Sequence, residues 1–376
     1  MSVDEQPERA VRDASGDGKH EDTLTANTTT AAQSPLEARL SAPTQAELDR
    51  RAAGGEAVTE GQSLSPTQAA LRRLGRDRRA MFFTAATLLI IVFAYVGPLI
   101  YTRVGPVIHN GGVTGTDDLT PMQYHNYVQI DISRQDAYPN FGIVHPLGTD
   151  AVGRDILARL MAGINISIEV ALLVEVFDVG LGVLIGALAG YYGGWIATLL
   201  DRFTDIMFAF PGLLFAILAA GTLGPLVQSE IGLSGRLILV SAALGITAWP
   251  FMARLVRGQT LQLREQQFIE AARTVGTSDV QIILRHVVPN LFNLVVVAAV
   301  LDMVGTIGGE AVLSLLGLGV QPPGSSLGLM INDAVPQVLT NVWEAVWPTL
   351  ALTVLMLAFS FVGDGVQDAF NPRTVD

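Results

Sequence analysis

Five acids sit in stretches otherwise too apolar to hold them: Glu169, Glu175 and Asp178 between 164 and 190, and Asp302 and Glu310 between 288 and 312. A carboxylate at the centre of a bilayer costs about 2.5–3.5 kcal/mol, so each must face a bundle interior, a partner or a wet cavity. Two chemistries suit such groups. They can line a translocation pathway, or they can hold two spans together as hydrogen-bonded or protonated acids. Spacing alone leaves both open. Other chemistry is poorly supported. The chain has no cysteine, which excludes disulfides, thiolate metal sites and a cysteine nucleophile. Its five histidines, at 20, 109, 125, 145 and 286, show no paired ligand spacing, so no metal site is expected and His145 reads as a loop residue. Lys19 is the sole lysine, and Gly16-Asp17-Gly18-Lys19-His20 lacks the spacing and trailing hydroxyl of a phosphate-cradling loop. With no His-Glu-x-x-His pair and no Gly-x-Ser-x-Gly elbow, hydrolase chemistry has little support either. The chain is expected to bind no cofactor of its own, and any energy for moving a solute must come from outside it.

The other chemically loaded stretch is polar and lies between two apolar ones, from Glu265 to Pro289. Its spacing predicts two short helices. In the first, Phe268, Ala272 and Val275 fall on one face, with Glu270 and Arg273 elsewhere. Gly276 stands where a left-handed C-terminal cap belongs. Ser278 and Gln281 are spaced as a capping box for the second helix, whose apolar face is Val280, Ile283, Leu284 and Val287, and Pro289 reads as its stop. A compact amphipathic pair of this kind suits docking to another protein. It does not suit DNA, because Glu265, Glu270 and Asp279 spoil a phosphate-binding surface.

These stretches must be positioned by a membrane bundle. Half of the 376 residues are hydrophobic and only 15% are charged. Residues 1–65 hold twelve Asp/Glu against six Lys/Arg, half of the net charge of −12, so the acidity says little about the remainder and argues against a nucleic-acid partner. Residues 1–64 have almost no aromatic or β-branched aliphatic content and read as a disordered acidic cytosolic tail. An amphipathic helix capped at Ser65-Pro66 is expected over Thr67 to Arg79, with Arg72, Arg73, Arg76, Arg78 and Arg79 at anionic lipid headgroups. Six segments are long enough to cross a core that needs about 20 apolar residues: 80–102, 164–190, 204–223, 235–256, 288–312 and 346–366. The expected organisation is 1–64 tail, 65–163 interfacial helix, first span and external loop, and 164–376 a core of five spans. Within the external loop, an interfacial helix should feed the second span, with Asp150 and Arg154 spaced as an i, i+4 pair. Arginines before the first span, and Arg254, Arg257, Arg264, Arg273 and Arg285 around the fourth loop, place both termini and residues 257–287 in the cytosol of a multi-pass cell-membrane protein. Gly182, Gly186 and Gly190, and again Gly305 and Gly309, repeat at four-residue spacing. They are expected at helix or subunit contacts, with local flexibility as the alternative.

Glu270-Ala271-Ala272-Arg273-Thr274-Val275-Gly276, followed after nine residues by His286-Val287-Val288-Pro289-Asn290, resembles the EAA loop of permease subunits of binding-protein-dependent ABC importers. Four further stretches resemble the C-type permease of the dipeptide/oligopeptide/nickel group: 145–155, 190–212, 310–323, and Gly363-Asp364-Gly365 with Asn371-Pro372-Arg373. The resemblance covers about 75–376. It implies an all-α membrane protein with six transmembrane helices of the type I ABC importer permease fold and a cytosolic coupling helix. It also implies a homologous second permease subunit, two cytosolic ATPase subunits or domains that bind the ATP and Mg, and an extracytoplasmic substrate-binding protein. Carried over, Glu270, Ala271, Ala272 and Gly276, flanked by Phe268 and Arg273, would couple to the ATPase. The implied cargo is a dipeptide or oligopeptide, with nickel, a nickel chelate or glutathione as alternatives on the same architecture, and a non-transporting scaffold or sensor as a remote one. Three features depart from the group's pattern: Ser325 and Leu327 replace a proline and an aromatic, Val288 replaces a leucine, and Glu175, Asp178 and Asp302 are additions.

Overall fold

The computed structural model describes residues 72–109, 118–131 and 134–370. The tail, the Ser65-Pro66 cap and Asn371-Pro372-Arg373 lie outside the described residues. Among the described residues, six helices are long and apolar enough to cross a membrane. They are α1 (Arg78–Tyr95), α2 (Ile156–Tyr192), α4 (Gly212–Ile231), α5 (Leu233–Arg264), α8 (Val288–Leu315) and α10 (Trp343–Phe370), with shorter helices α3 (Gly194–Ala209), α6 (Gln267–Thr274), α7 (Asp279–Ile282) and α9 (Leu327–Ala334) between them. Among the described residues, strand structure is limited to a two-residue antiparallel ladder, Ile108–His109 with Asp118–Leu119, and an isolated bridge between Thr149 and Asp155.

Local chemistry sets most boundaries. Asp77 caps α1 by accepting from the Arg79 N–H at 2.8 Å, which breaks the expected helix from Thr67 to Arg79 just before its end. Asp155 caps α2 by accepting from Ala158 at 2.8 Å. No separate interfacial helix precedes the second span; α2 runs unbroken for 37 residues, about 55 Å at 1.5 Å per residue. The third span is also displaced from its expected place. Residues 204–209 belong to α3, and Pro211 forces Phe210 into extended backbone, so the span starts at Gly212. Helix α3 instead lies against α5 through Asp201–Arg257 and Asp205–Arg254 pairs, both at 2.8 Å, and the Arg254 guanidinium covers the Phe208 ring at 4.0 Å.

Three apolar clusters hold the bundle. One joins α1, α2, α8, α9 and α10 through Ala94, Ile164, Ile168, Ile307, Leu327, Leu355 and Phe359. A second joins α2, α5, α6, α7 and α8 through Ala187, Tyr191, Val256, Ile269, Ile282 and Leu291. The third joins α4 and α5 to α8 through Ala216, Ala220, Val240, Ala243 and Leu313. Helix α2 reaches α5 through its small residues. A Cβ on Gly182 would stand 2.6 Å from the Met252 Cβ, one on Gly190 2.6 Å from the Thr260 Cβ, and one on Gly186 would strike the Ala253 carbonyl. Gly309 meets Leu244 at ordinary contact distance, whereas Gly305 faces open space.

Candidate functional site

The 267–287 pair sits at the end of the bundle where α2 finishes. Helix α6 closes as its spacing predicts: Gly276 has φ 85° and donates to the Arg273 carbonyl at 2.9 Å, and Thr277 donates to Ala272 at 3.1 Å. Only glycine takes that conformation without strain. Ser278 occupies the N-cap of α7, but its side chain makes no capping bond and the Ser-x-x-Gln box does not form. Pro289 does not stop the helix. Residues Ile283–Val287 form a π turn in which Val288 donates back to the Ile283 carbonyl, and the chain passes into α8 as one helical rod over Asp279–Leu315. Proline has no N–H to give, and it sits in the first turn of α8, where that donor is not required; the π turn carries the backbone across the junction.

Burial sorts the residues of the pair. Ile269 and Ile282 are fully buried and Val287 joins them, fixing the pair to α2 and α5. The first stripe read from periodicity faces outward, and the second splits, with Ile283 and Val287 buried and Val280 and Leu284 outside. Phe268 is 43% exposed and Val275 85%, with Val280 and Leu284 beside them also exposed, while Ala272 is half-buried. Glu270 and Ala271 are exposed, and Glu270 has no ion pair among the described residues. Arg273 is turned toward the bundle: its guanidinium lies 5.1 Å from the Tyr191 ring centre and its Nε donates to the Tyr191 hydroxyl at 3.4 Å. That hydroxyl donates to Asp279 at 2.7 Å. Tyr191 therefore clamps α6 and α7 together from the end of α2, a role no spacing argument had assigned. The result is a rigid pair with an outward apolar patch and an acidic residue at its edge.

At the opposite end, polar groups close on each other. Asp150 accepts from Arg154 Nε at 2.7 Å and Arg159 Nη1 at 2.6 Å, so the expected Asp150–Arg154 pair forms within a larger network. Both arginines also reach Asp333 at the end of α9, at 3.1 and 2.7 Å. His145 is buried between Asp155 at 2.7 Å and Asp131 at 3.4 Å, and Asp155 also accepts from the Tyr101 hydroxyl at 2.9 Å. Burial by itself would push the His145 imidazole down, but its hydrogen bonds to Asp131 and Asp155 and their charges outweigh it and hold it above its ordinary range. His125, stacked on Tyr101 with ring centres 3.7 Å apart, is pushed down by burial. Ser325 donates to the Arg159 carbonyl at 3.2 Å, and both Ser325 and Leu327 are buried. The departures at these two positions are thus matters of internal packing against α2.

The intramembrane acids separate into three situations. Glu310 is fully buried and satisfied, accepting from Ser167 of α2 at 3.0 Å and Ser314 at 2.6 Å. Glu169 is half-buried and stands outside the other groups. Glu175, Asp178 and Asp302 converge from α2 and α8, each offering a carboxylate oxygen within 4.8 Å of the others. Asp302, Thr306, Gly305 and Gly309 line a cavity of about 390 Å³ that Gly212 and Thr247 face from α4 and α5.

A polytopic helical bundle thus fastens a short helical pair to one end with Phe268, Val275, Val280 and Leu284 turned outward. Sequence comparison specifies the kind of bundle. Residues 182–376 match the family described as binding-protein-dependent transport system inner membrane component, and residues 65–110 match the N-terminal TM domain of oligopeptide transport permease C. The chain is 35% identical over 318 residues, 85% of its length and 91% of the relative's, to the oligopeptide transport system permease protein OppC of Haemophilus influenzae. It is 34% identical over 312 residues (83% and 87%) to the dipeptide transport system permease protein DppC of Bacillus subtilis. It is also 36% identical over 255 residues (68% and 80%) to the glutathione transport system permease protein GsiD of Escherichia coli. The chain belongs to the permease family of binding-protein-dependent ABC importers, in its C-type group, and is a multi-pass membrane subunit.

Proposed function

We propose that this chain forms half of the translocation pathway of an ATP-driven importer for dipeptides and oligopeptides. Its partners are a homologous second permease, two cytosolic ATPase subunits or domains that carry the ATP and Mg, and an extracytoplasmic binding protein that delivers the cargo. Both termini and the 267–287 pair face the cytosol, where the arginines before α1 and those around the pair lie. The cargo class follows from the names of the relatives matched over most of the chain.

One observation carries the mechanism: the pair is solid beneath and apolar above. Ile269 and Ile282 anchor it, the Tyr191 clamp ties its two helices to the end of α2, and Phe268, Val275, Val280 and Leu284 are the exposed apolar side chains it offers to a partner. Ala271 and Ala272 keep the relief low for close approach, and Glu270 supplies a charge for recognition. Since α7 continues into α8, a displacement of the pair tilts the fifth span as a lever, and two packings of the bundle biased by ATP give alternating access. Glu169, Glu175, Asp178, Asp302 and Glu310 are the polar groups available to the pathway or to the contacts between its helices.

Replacing Gly276 with valine, which strains a left-handed position, or Glu270 with alanine tests this reading in membranes holding the partner subunits. Uptake of a labelled dipeptide should fall by at least tenfold for the first and severalfold for the second, with insertion unchanged. Undiminished uptake by both would sink the coupling role. Glutathione is the second cargo reading, favoured by the match to the glutathione system permease; competition between labelled dipeptide and glutathione in the same assay separates the two.

A further inference from the structure

Glu175 and Asp178 lie three residues apart on one face of α2, and Asp302 faces them from α8. Three carboxylates from two spans so meet at mid-bundle, with one oxygen of each within 4.8 Å of the others and no Lys or Arg paired to any of them among the described residues. Glu175 is only 8% exposed, yet no N–H or hydroxyl among the described residues donates to either of its carboxylate oxygens, and the one group within hydrogen-bonding reach is the Asp302 carboxyl of the triad itself. The contrast with Glu310, two turns along α8 from Asp302, is direct. There the fold supplies two seryl hydroxyls to a carboxylate that is fully buried. At Glu175 it supplies none and instead brings two more acids. Buried polar groups are almost always partnered, so an open carboxylate aimed at two others points to a positive group between them.

We propose that Glu175, Asp178 and Asp302 form a binding site for a hard divalent cation, calcium by preference, that ties the second span to the fifth. The donor set is all oxygen and all anionic, which suits calcium, magnesium or manganese over softer ions. Calcium takes six to eight oxygens at about 2.3–2.6 Å in a flexible shell, so carboxylate oxygens up to 4.8 Å apart can share one ion. Magnesium, at about 2.0–2.1 Å in a strict octahedron, requires the three to close up. The remaining positions are open to second carboxylate oxygens and to water from the adjoining cavity, which Asp302 and the Thr306 hydroxyl both line. Gly305, Gly308, Gly309 and Gly212 are among the residues lining that cavity. A bound dication reduces the triad's charge from −3 to −1 in a region where unpaired charge is strongly disfavoured. It also lies on the same rod that carries α7, so its occupancy stiffens the lever between the docking pair and the bundle.

The test uses the full-length chain in nanodiscs, stripped with chelator and titrated with calcium chloride by equilibrium dialysis and by thermal unfolding. The expected result is one calcium per chain, with an unfolding midpoint that rises on saturation. Glu175→Gln and Asp302→Asn should each weaken calcium binding at least tenfold and abolish the shift, while Glu169→Gln, on the same helix outside the triad, should change neither. If Asp302→Asn does not insert, Asp178→Asn takes its place, and the wild-type titration decides on its own. Absence of saturable calcium binding at millimolar concentration overturns the site in favour of carboxyls that share protons. Unaltered binding in the Glu175 and Asp302 variants places the ion elsewhere and also overturns it, and tighter binding of magnesium than of calcium overturns the choice of ion.

Discussion

The two ends of this bundle treat polar and apolar residues in opposite ways. Around residues 131–159, four charged or titratable side chains are buried and matched: Arg159, Asp150, Asp155 and His145 are each at most 3% exposed and each has a partner. Around 267–287, apolar side chains are left outside: Val275 is 85% exposed, above a fully buried Ile269. A short helix that buries one isoleucine and exposes a phenylalanine and a valine suits the docking role proposed for it. The first end turns most of its charges toward one another, and the second turns apolar side chains outward. That difference explains why stability and function should respond to mutation at different ends.

The largest effect on stability is expected from Arg159→Met. It leaves Asp150 and Asp333 short of a buried partner, and breaking a buried pair from one side costs roughly 3–5 kcal/mol. Thermal unfolding in detergent measures it; a loss below about 1 kcal/mol would mean that Arg154 alone balances both acids, and the matched-charge account of this end would fail. Next comes Ile269→Ala, at about 2–5 kcal/mol from lost burial and the cavity left behind. Here the loosening should concentrate in the pair, read as faster hydrogen exchange over 267–287 than over α10.

A smaller effect tests the His145 bridge by pH. Its folded pKa is raised, so its stabilising contribution is fully present below the unfolded value of about 6.5 and is lost as pH rises through the folded value. The stability difference between wild type and His145→Asn should therefore shrink as pH is raised across that window. A difference independent of pH would mean that the imidazole bonds to Asp155 while neutral. The smallest effect on stability belongs to the exposed face: Phe268→Ser should stay within about 0.5 kcal/mol of wild type.

Much of this was legible in the sequence, because hydrophobic length finds spans and glycine with a capping position finds a turn. Gly276 is the clearest instance. What periodicity could not supply is direction. The stripe Phe268, Ala272, Val275 is apolar and helical, but a helix with two apolar sides does not say which faces home, and Ile269 took the buried place. Pro289 misled for a related reason: a proline stops a helix when a carbonyl and an N–H must pair across it, and a π turn just before it removed that demand. Phe210-Pro211 did break a helix, inside what hydropathy alone reads as one span. The triad of Glu175, Asp178 and Asp302 was visible only as separate acids, since its members lie on spans far apart in the chain. The same holds for Asp333, which closes the arginine network from α9 and has no local signal.

We propose that the exposed face of the 267–287 pair is a docking surface for an ATPase partner. Val275→Glu tests it most directly, by co-purification of the tagged chain with its ATPase subunits from membranes and by thermal unfolding of the isolated chain. The expected result is loss of nearly all bound ATPase with unfolding unchanged to within about 0.5 kcal/mol, because Val275 supports nothing beneath it. Wild-type recovery of the ATPase with a charge at that position would contradict the account.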